Sequence, residues 1–286
     1  MPVALNSKDL ATLDQKLAAD SQVFELLKGG AKAVTSADFV GVKEVRVNTM
    51  TGFTASTYKR NGDNSRAKLD ISKKTLELMQ ERWMAYDLDV LDTEENFANT
   101  VANAVEEHTR LVAIPEKDKT AVTALATNAG KIVEEDITED NALSVFDEAE
   151  QYMTDTEVIG PFIMFASSAY YKALKNSPKV SKTFTTNEVN LSGINRKVAT
   201  LDNDIPIVKV AKSRLQVLKD GAINFILVPL NVAMPIEKYN SVDVIDASTD
   251  RDGYRTTVKG LDYYDVLVLE NAKPAIYMSK AKVTAP

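Results

Sequence analysis

Apolar residues recur along this chain at two different spacings. Between residues 42 and 79 they alternate with polar ones: Val45, Val47 and Met50 on the way out, then Leu69, Ile71 and Leu76-Glu77-Leu78-Met79 on the way back. Near-period-two alternation on either side of the polar stretch Tyr58–Arg66, which contains Asn61-Gly62, predicts a long β-hairpin. Its outgoing strand is expected over Val42–Phe53 and its return strand from Lys68. The far end has little apolar surface, so no core can form there. A lone two-stranded ribbon is marginal in water, and this limb is expected to lie on a second copy of the chain.

Helical spacing governs the flanking segments. Leu10, Leu13, Leu17, Phe24 and Leu27 predict a helix over residues 6–28, with Asn6 or Ser7 as N-cap and Gly29-Gly30 as its stop. With the loose, small-residue stretch 31–41 behind it, this helix is expected to form an arm and not part of a core. After the hairpin, Asp92 is a good N-cap with Glu95 as its capping-box partner. Phe97, Val101, Ala104, Val105, His108, Leu111 and Val112 follow on one stripe. At ~1.5 Å per residue this helix spans about 30 Å, and Pro115 is expected to end it. A second helix is expected over residues 116–128, stopping at Gly130.

From Thr138 onward the pattern is mixed α/β. A helix over Glu139–Met153 precedes a buried strand, Pro161–Phe165, whose apolar run is unbroken. Ser167 or Ser168 caps a short helix reaching Lys175, and residues 182–201 form a polar β excursion. Buried strands follow at Pro206–Val210 and Phe225–Val228. Three more are expected at Ser241–Asp246, Tyr254–Lys259 and Tyr263–Leu269, the last two joined at Gly260.

Charge sharpens the picture of the hairpin. Residues 42–80 hold eight Lys or Arg against four acids, a net of +4, whereas residues 81–160 hold five against twenty, a net of −15. A basic limb next to a strongly acidic segment suggests complementary surfaces that meet between subunits. The whole chain of 286 residues carries −7, which argues against general nucleic-acid binding, since that draws its affinity from cations on phosphates. It does not exclude a protein that merely surrounds nucleic acid. There is no cysteine, hence neither disulfide nor thiolate metal site. Met1–Asp20 is polar and acid-bearing, so no secretory leader is expected, and the longest apolar run, Ile226–Leu230, is far too short for a membrane span.

Catalytic chemistry finds little support. The single histidine, His108, has no second His or Cys for a metal site and reads as a packed helix residue. No Gly-x-Ser-x-Gly elbow, Gly-x-Gly-x-x-Gly turn or P-loop lysine is present, so no cofactor is expected. The acids at Asp87, Asp89, Asp92, Glu134–Asp136 and Glu139-Asp140 lie at helix starts, where capping and the helix dipole account for them. A carboxylate-pair hydrolase is the distant alternative, and a close pair of carboxylates in a deep pocket would mark it.

The order of elements, together with two short motifs, resembles the major capsid proteins of tailed bacteriophages, the Hong Kong 97-like fold. The first motif is the junction Glu81-Arg82-Trp83-Met84-Ala85-Tyr86-Asp87-Leu88-Asp89-Val90-Leu91-Asp92-Thr93-Glu94-Glu95, an acid-Arg pair and an aromatic, then spaced acids entering the long helix. The second is Pro115-Glu116-Lys117-Asp118. The tip Asn61-Gly62 and the strand–Ser–helix unit Phe162–Lys175 are also similar. The resemblance covers nearly the whole chain. It implies a mixed α+β fold with an N-terminal arm (1–41), an extended β-hairpin loop (42–91), a spine helix with the start of a peripheral domain (92–130), an axial domain (131–240) and peripheral return strands (241–286). It implies no enzyme. The expected role is self-assembly as pentamers and hexamers into an icosahedral head enclosing double-stranded DNA, assembled in the host cytoplasm and resident in the virion. A portal protein and, given the short arm, a separate scaffolding protein are the expected partners. An encapsulin-type bacterial shell is the alternative within the same fold. Interface candidates are Lys59, Arg60, Arg66 and Lys68 on the loop, with Glu81, Arg82, Asp89, Asp92, Glu95, Glu106 and Glu107 on the acidic side.

Overall fold

The computed structural model describes residues 20–30, 43–91, 101–158, 160–178, 186–191, 194–201, 205–219 and 221–282. The caps expected of Asn6, Ser7, Asp92 and Glu95 lie outside these residues. The first elements in chain order are α1 (Phe24–Gly30), β1 (Glu44–Thr51), β2 (Asp70–Glu77), β3 (Gln80–Asp89), α2 (Val101–His108) and α3 (Ile114–Thr127). Then come β4 (Lys131–Glu134), α4 (Ala142–Asp155), β5 (Phe162–Ser167), α5 (Ser168–Asn176), β6 (Thr186–Leu191), β7 (Ile194–Leu201) and β8 (Ile205–Val210). The chain continues with α6 (Lys212–Leu215), β9 (Ile223–Pro229), β10 (Ala233–Ile245), β11 (Arg255–Val268) and β12 (Tyr277–Lys280).

Three sheets result among the described residues. β1 and β2 form a separate antiparallel hairpin, with Glu44 opposite Glu77 and Thr51 opposite Asp70. A three-stranded antiparallel sheet has the order β10-β11-β3, and a seven-stranded mixed sheet the order β4-β12-β9-β5-β8-β7-β6. The unbroken apolar runs of β5 and β9 are explained by helices on both faces of the larger sheet. Ile163, Phe165, Ile226 and Val228 pack with α1 and α3, while Met164, Ala166, Phe225 and Leu227 pack with α4 and α5. Ser167 is the residue that caps α5, its Oγ accepting from the Tyr170 N–H at 3.2 Å.

Three sequence expectations are corrected. First, the N-terminal helix does not run unbroken to residue 28: residues 20–23 are not helical, and α1 begins at Phe24. Nor is this segment a free arm, because Val23, Phe24, Leu26 and Leu27 are all buried in the main core. The reason is Asp118, a fully buried residue of α3. Its carboxylate accepts from Ser21 Oγ (2.8 Å), from the N–H groups of Gln22, Val23 and Phe24 (2.8, 3.1 and 2.9 Å), and from Arg214 Nη1 (2.6 Å). A carboxylate from a distant helix thus caps α1, satisfying donors that a helix start leaves open. Arg214, itself buried, also donates to the Asp20 carbonyl at 2.6 Å.

Second, Pro115 does not end the long helix. Between α2 and α3 the segment Thr109–Ala113 widens into a π-turn, in which the Ile114 N–H reaches back to the Thr109 carbonyl. The helix therefore runs through 27 residues. A proline lacks a donor and crowds the preceding turn, and a wider turn just ahead of it absorbs both defects. Third, Gly260 joins no two strands: it lies inside β11, where a Cβ would come within 2.6 Å of Met84 Cε. It is a close-approach glycine.

Removing the Asp118 clasp should be costly. Asp118→Ala strands a buried guanidinium and three backbone donors, and breaking a buried pair from one side costs ~3–5 kcal/mol. Equilibrium urea unfolding should show that loss, with Asp118→Asn falling between the variant and the natural chain.

Candidate assembly surface

Among the described residues, the hairpin meets the rest of the protein at its base. Val45 and Leu78 pack with Ile236, Tyr263 and Leu267, and Val47 and Leu76 lean on the same group. The joint itself is held by hydrogen bonds. The Leu78 N–H donates to the Lys43 carbonyl at 2.9 Å, Tyr263 Oη donates to the Leu78 carbonyl at 3.1 Å, and the Met79 N–H donates to Asp265 at 2.7 Å. Burial pushes the Asp265 carboxyl up, against the opposing pull of the Met79 and Val266 N–H groups. On the other side of the base, Glu270 accepts from both Lys74 of β2 and Lys273, a brace between limb and body.

Beyond Thr51 the ladder stops, and every residue from 52 to 69 is exposed. Gly52 makes the transition at φ +95°, where any Cβ would come within 2.6 Å of the Lys68 carbonyl. The tip is closed by Asn64, whose side chain accepts from the Lys59 N–H at 2.9 Å and donates to the Lys59 carbonyl at 3.2 Å. Among the described residues, Lys59, Arg60, Arg66 and Lys68 make no ion pair.

The acidic-side candidates are scattered and mostly occupied. Glu81 pairs with Lys43 at 2.6 Å, Arg82 with Glu116 at 2.5 Å, and Glu107 with Arg110 at 2.6 Å. An Asp89 oxygen accepts from the Leu91 N–H at 2.9 Å, and Glu106 is exposed on α2. Asp92 and Glu95 lie outside the described residues. Among the described residues, none of the tip cations Lys59, Arg60, Arg66 and Lys68 pairs with these acids within one chain.

His108 is half-buried, its Nδ1 2.7 Å from Tyr86 Oη. Burial pushes its pKa down, against the opposing influence of Glu116 and Asp262. A cavity of about 120 Å³ beside it is lined by Glu116 and Asp262. Each carboxylate there is engaged by a cation, Glu116 by Arg82 and Asp262 by Lys117 at 2.7 Å. Among the described residues, no group of three or more His, Cys, Asp or Glu side chains could hold a metal ion. Sequence reasoning passed over Lys117, which ties Glu237 of β10 to Asp262 of β11 and sits 5.2 Å from the Tyr264 ring centroid. No spacing rule marks such a contact, because its partners lie more than a hundred residues away.

A long helix beside a three-stranded sheet, a larger sheet covered on both faces and a hairpin anchored at its base and exposed beyond it define a mixed α+β fold with a projecting limb. No protein-family model and no curated protein matches the sequence. Solved structures do match, across nearly the full chain. A structure from Mycobacterium phage Che8 aligns with TM-score 0.68 at 16% identity, covering 94% of this chain and 93% of that one. The mature capsid of bacteriophage PhiM1 aligns at 0.68 and 13% identity, covering 96% and 91%. The capsid of cyanophage P-SCSP1u aligns at 0.67 and 12% identity, covering 96% and 92%. The chain has the fold of tailed-phage capsid proteins, the Hong Kong 97-like fold.

The network around Lys117 predicts a pH response. Burial alone would raise the Glu237 carboxyl, but bonds from Lys117 and Lys28 outweigh it and hold the group below its ordinary value of 4.5. A carboxylate depressed in the folded state contributes stability above its unfolded value and loses it as acid protonates it. Thermal stability should therefore fall from about pH 5 to about pH 3, and Glu237→Gln should flatten that fall.

Proposed function

We propose that this chain is a major capsid protein that assembles as pentamers and hexamers into the icosahedral head of a tailed phage, around double-stranded DNA. The observation that carries this reading is the limb: residues 52–69 are exposed throughout, in a chain whose fold is that of phage capsid proteins. Such a segment gains little by standing in water, and an adjacent copy offers it a bed. The role is structural, without a catalytic step, and its location is the virion. Within this reading, residues 1–41 are the N-terminal segment, docked on the core through Val23–Leu27, and 42–91 the extended loop, whose β3 returns into the three-stranded sheet; 92–130 are the spine helix and start of the peripheral domain, 131–240 the axial domain and 241–286 the return. A scaffolding protein and a portal are the proposed partners during assembly.

Mechanism in this reading is non-covalent. The tip cations Lys59, Arg60, Arg66 and Lys68 approach an acidic surface of the adjoining subunit that includes Glu106 on α2. Each exposed ion pair contributes only ~0–1 kcal/mol, so charge steers and selects while repetition over many copies accumulates strength. A polyanion driven into such a shell meets a protein of net charge −7 and is not held by it.

Electron microscopy of the expressed protein, alone and with a co-expressed scaffold, tests the reading directly: closed shells are expected, and a species that stays monomeric under all salt, crowding and scaffold conditions would refute it. Reversing Lys59, Arg60, Arg66 and Lys68 to Glu should leave the thermal midpoint unchanged, because all four are exposed and none is paired among the described residues. Assembly followed by sedimentation velocity should be lost.

A further inference from the structure

The long helix is held differently on the two sides of its π-turn. Behind the turn, α3 is locked into the main core through Ala121, Val122 and Leu125. Ahead of it, α2 has no buried residue among those described, and its last residue, His108, carries a tie to the three-stranded sheet. The imidazole lies edge-on to Tyr86 of β3, ring centroids 5.6 Å apart and planes at 63°. Tyr86 Oη and His108 Nδ1 are 2.7 Å apart. A phenol that donates to Nδ1 needs a lone pair there, so the ring is neutral with its hydrogen on Nε2. An imidazolium has no acceptor. A second proton would therefore turn the bond round and place a charge in a half-buried seat.

What faces the ring decides whether that seat tolerates a charge. Arg82 comes from β3, Glu116 and Lys117 from α3, and Asp262 from β11; all four line the cavity beside the ring. On the ring's own helix, Glu107 is held by Arg110 and Glu106 is exposed. Both facing carboxylates are already engaged, Glu116 by Arg82 at 2.5 Å and Asp262 by Lys117 at 2.7 Å. Burial outweighs what remains of their pull and keeps the His108 pKa below its ordinary value of 6.5. The cavity, about 120 Å³, is far larger than the ~10–15 Å³ that one water needs, so protons have a route to the ring.

We infer that the His108–Tyr86 contact is an acid-released latch: protonation of the ring frees α2 from β3, the π-turn Thr109–Ala113 serves as the hinge, and α3 stays in place. The hinge falls where Pro115 already removes a donor from the helical ladder, and widened turns of this kind recur at functional positions. The sign follows from proton binding. A histidine whose neutral form is preferred in the closed state binds more protons when open, so the latch is shut above about pH 6.5 and loosens as pH falls below it. That window lies above the one expected for Glu237, and the two responses are separable. The latch belongs to the single chain and does not rest on the shell reading. Any assembly of these chains would inherit an acid-sensitive joint in every copy.

His108 is the chain's single histidine, so the imidazole proton resonances of free subunits report this site alone. Their titration midpoint should lie below 6.5 and should rise in Tyr86→Phe, which removes the bond that favours the neutral ring. Hydrogen exchange, corrected for its intrinsic pH dependence, is then compared on either side of that midpoint. Protection of residues 101–113 should fall several-fold on the acid side, while that of residues 114–127 holds. His108→Gln keeps an acceptor for Tyr86 and takes up no proton, so it should abolish the fall. A midpoint at or above 6.5 would overturn the inference, as would equal protection of residues 101–113 on both sides of it. An undiminished fall in the Gln variant would do the same, placing the acid response on a carboxylate.

Discussion

A two-stranded ribbon cannot bury its own residues, and everything distinctive about this molecule follows from where its ribbon is anchored. The anchor is the short turn at Leu78 and Met79, where the chain leaves the hairpin and enters β3. An apolar group closes beneath it, and hydrogen bonds to the Lys43 carbonyl, Tyr263 and Asp265 fix its direction. Because the clamp sits at the base, residues 52–69 are held in solvent instead of folding back.

A second constraint joins parts of the chain that lie far apart in sequence. Asp118 organises the backbone of residues 22–24 from a distance of nearly a hundred positions, and Arg214, as far along the chain again, closes the arrangement by donating to Asp118 and to the Asp20 carbonyl. Neighbouring positions of the same short motif have separate tasks. Glu116 receives Arg82, Lys117 bridges two strands, and Asp118 caps a helix. Two motifs that resemble those of phage capsid proteins thus touch one another, Arg82 on Glu116, although 34 residues separate them.

Period-two and period-3.6 patterns made much of the fold legible. The hairpin strands, the helix ending in Met153 and Asp155, and the core strands at Phe162 and Ile223 all carry their pattern locally. What escaped was non-local. Phe24 and Leu27 read as an arm because their cap, Asp118, belongs to another helix. Pro115 read as a stop because no rule on a single helix anticipates a widened turn. Gly260 read as a turn because the side chain that needs its missing Cβ, Met84, lies on a different strand. The exposed limb was legible as a deficit of apolar residues between Phe53 and Leu69.

The π-turn divides one continuous rod into two regimes of cohesion. Ahead of Ile114 no described position of the helix is buried; after it, Asp118, Ala121, Val122, Leu125 and Ala126 all are. Local opening free energy tracks buried contacts, so the leading half can unwind and re-form while the trailing half stays locked to the core. Amide protons ahead of the proline should thus trade with solvent on a far shorter timescale than those behind it, a gradient of rigidity along a single unbroken helix.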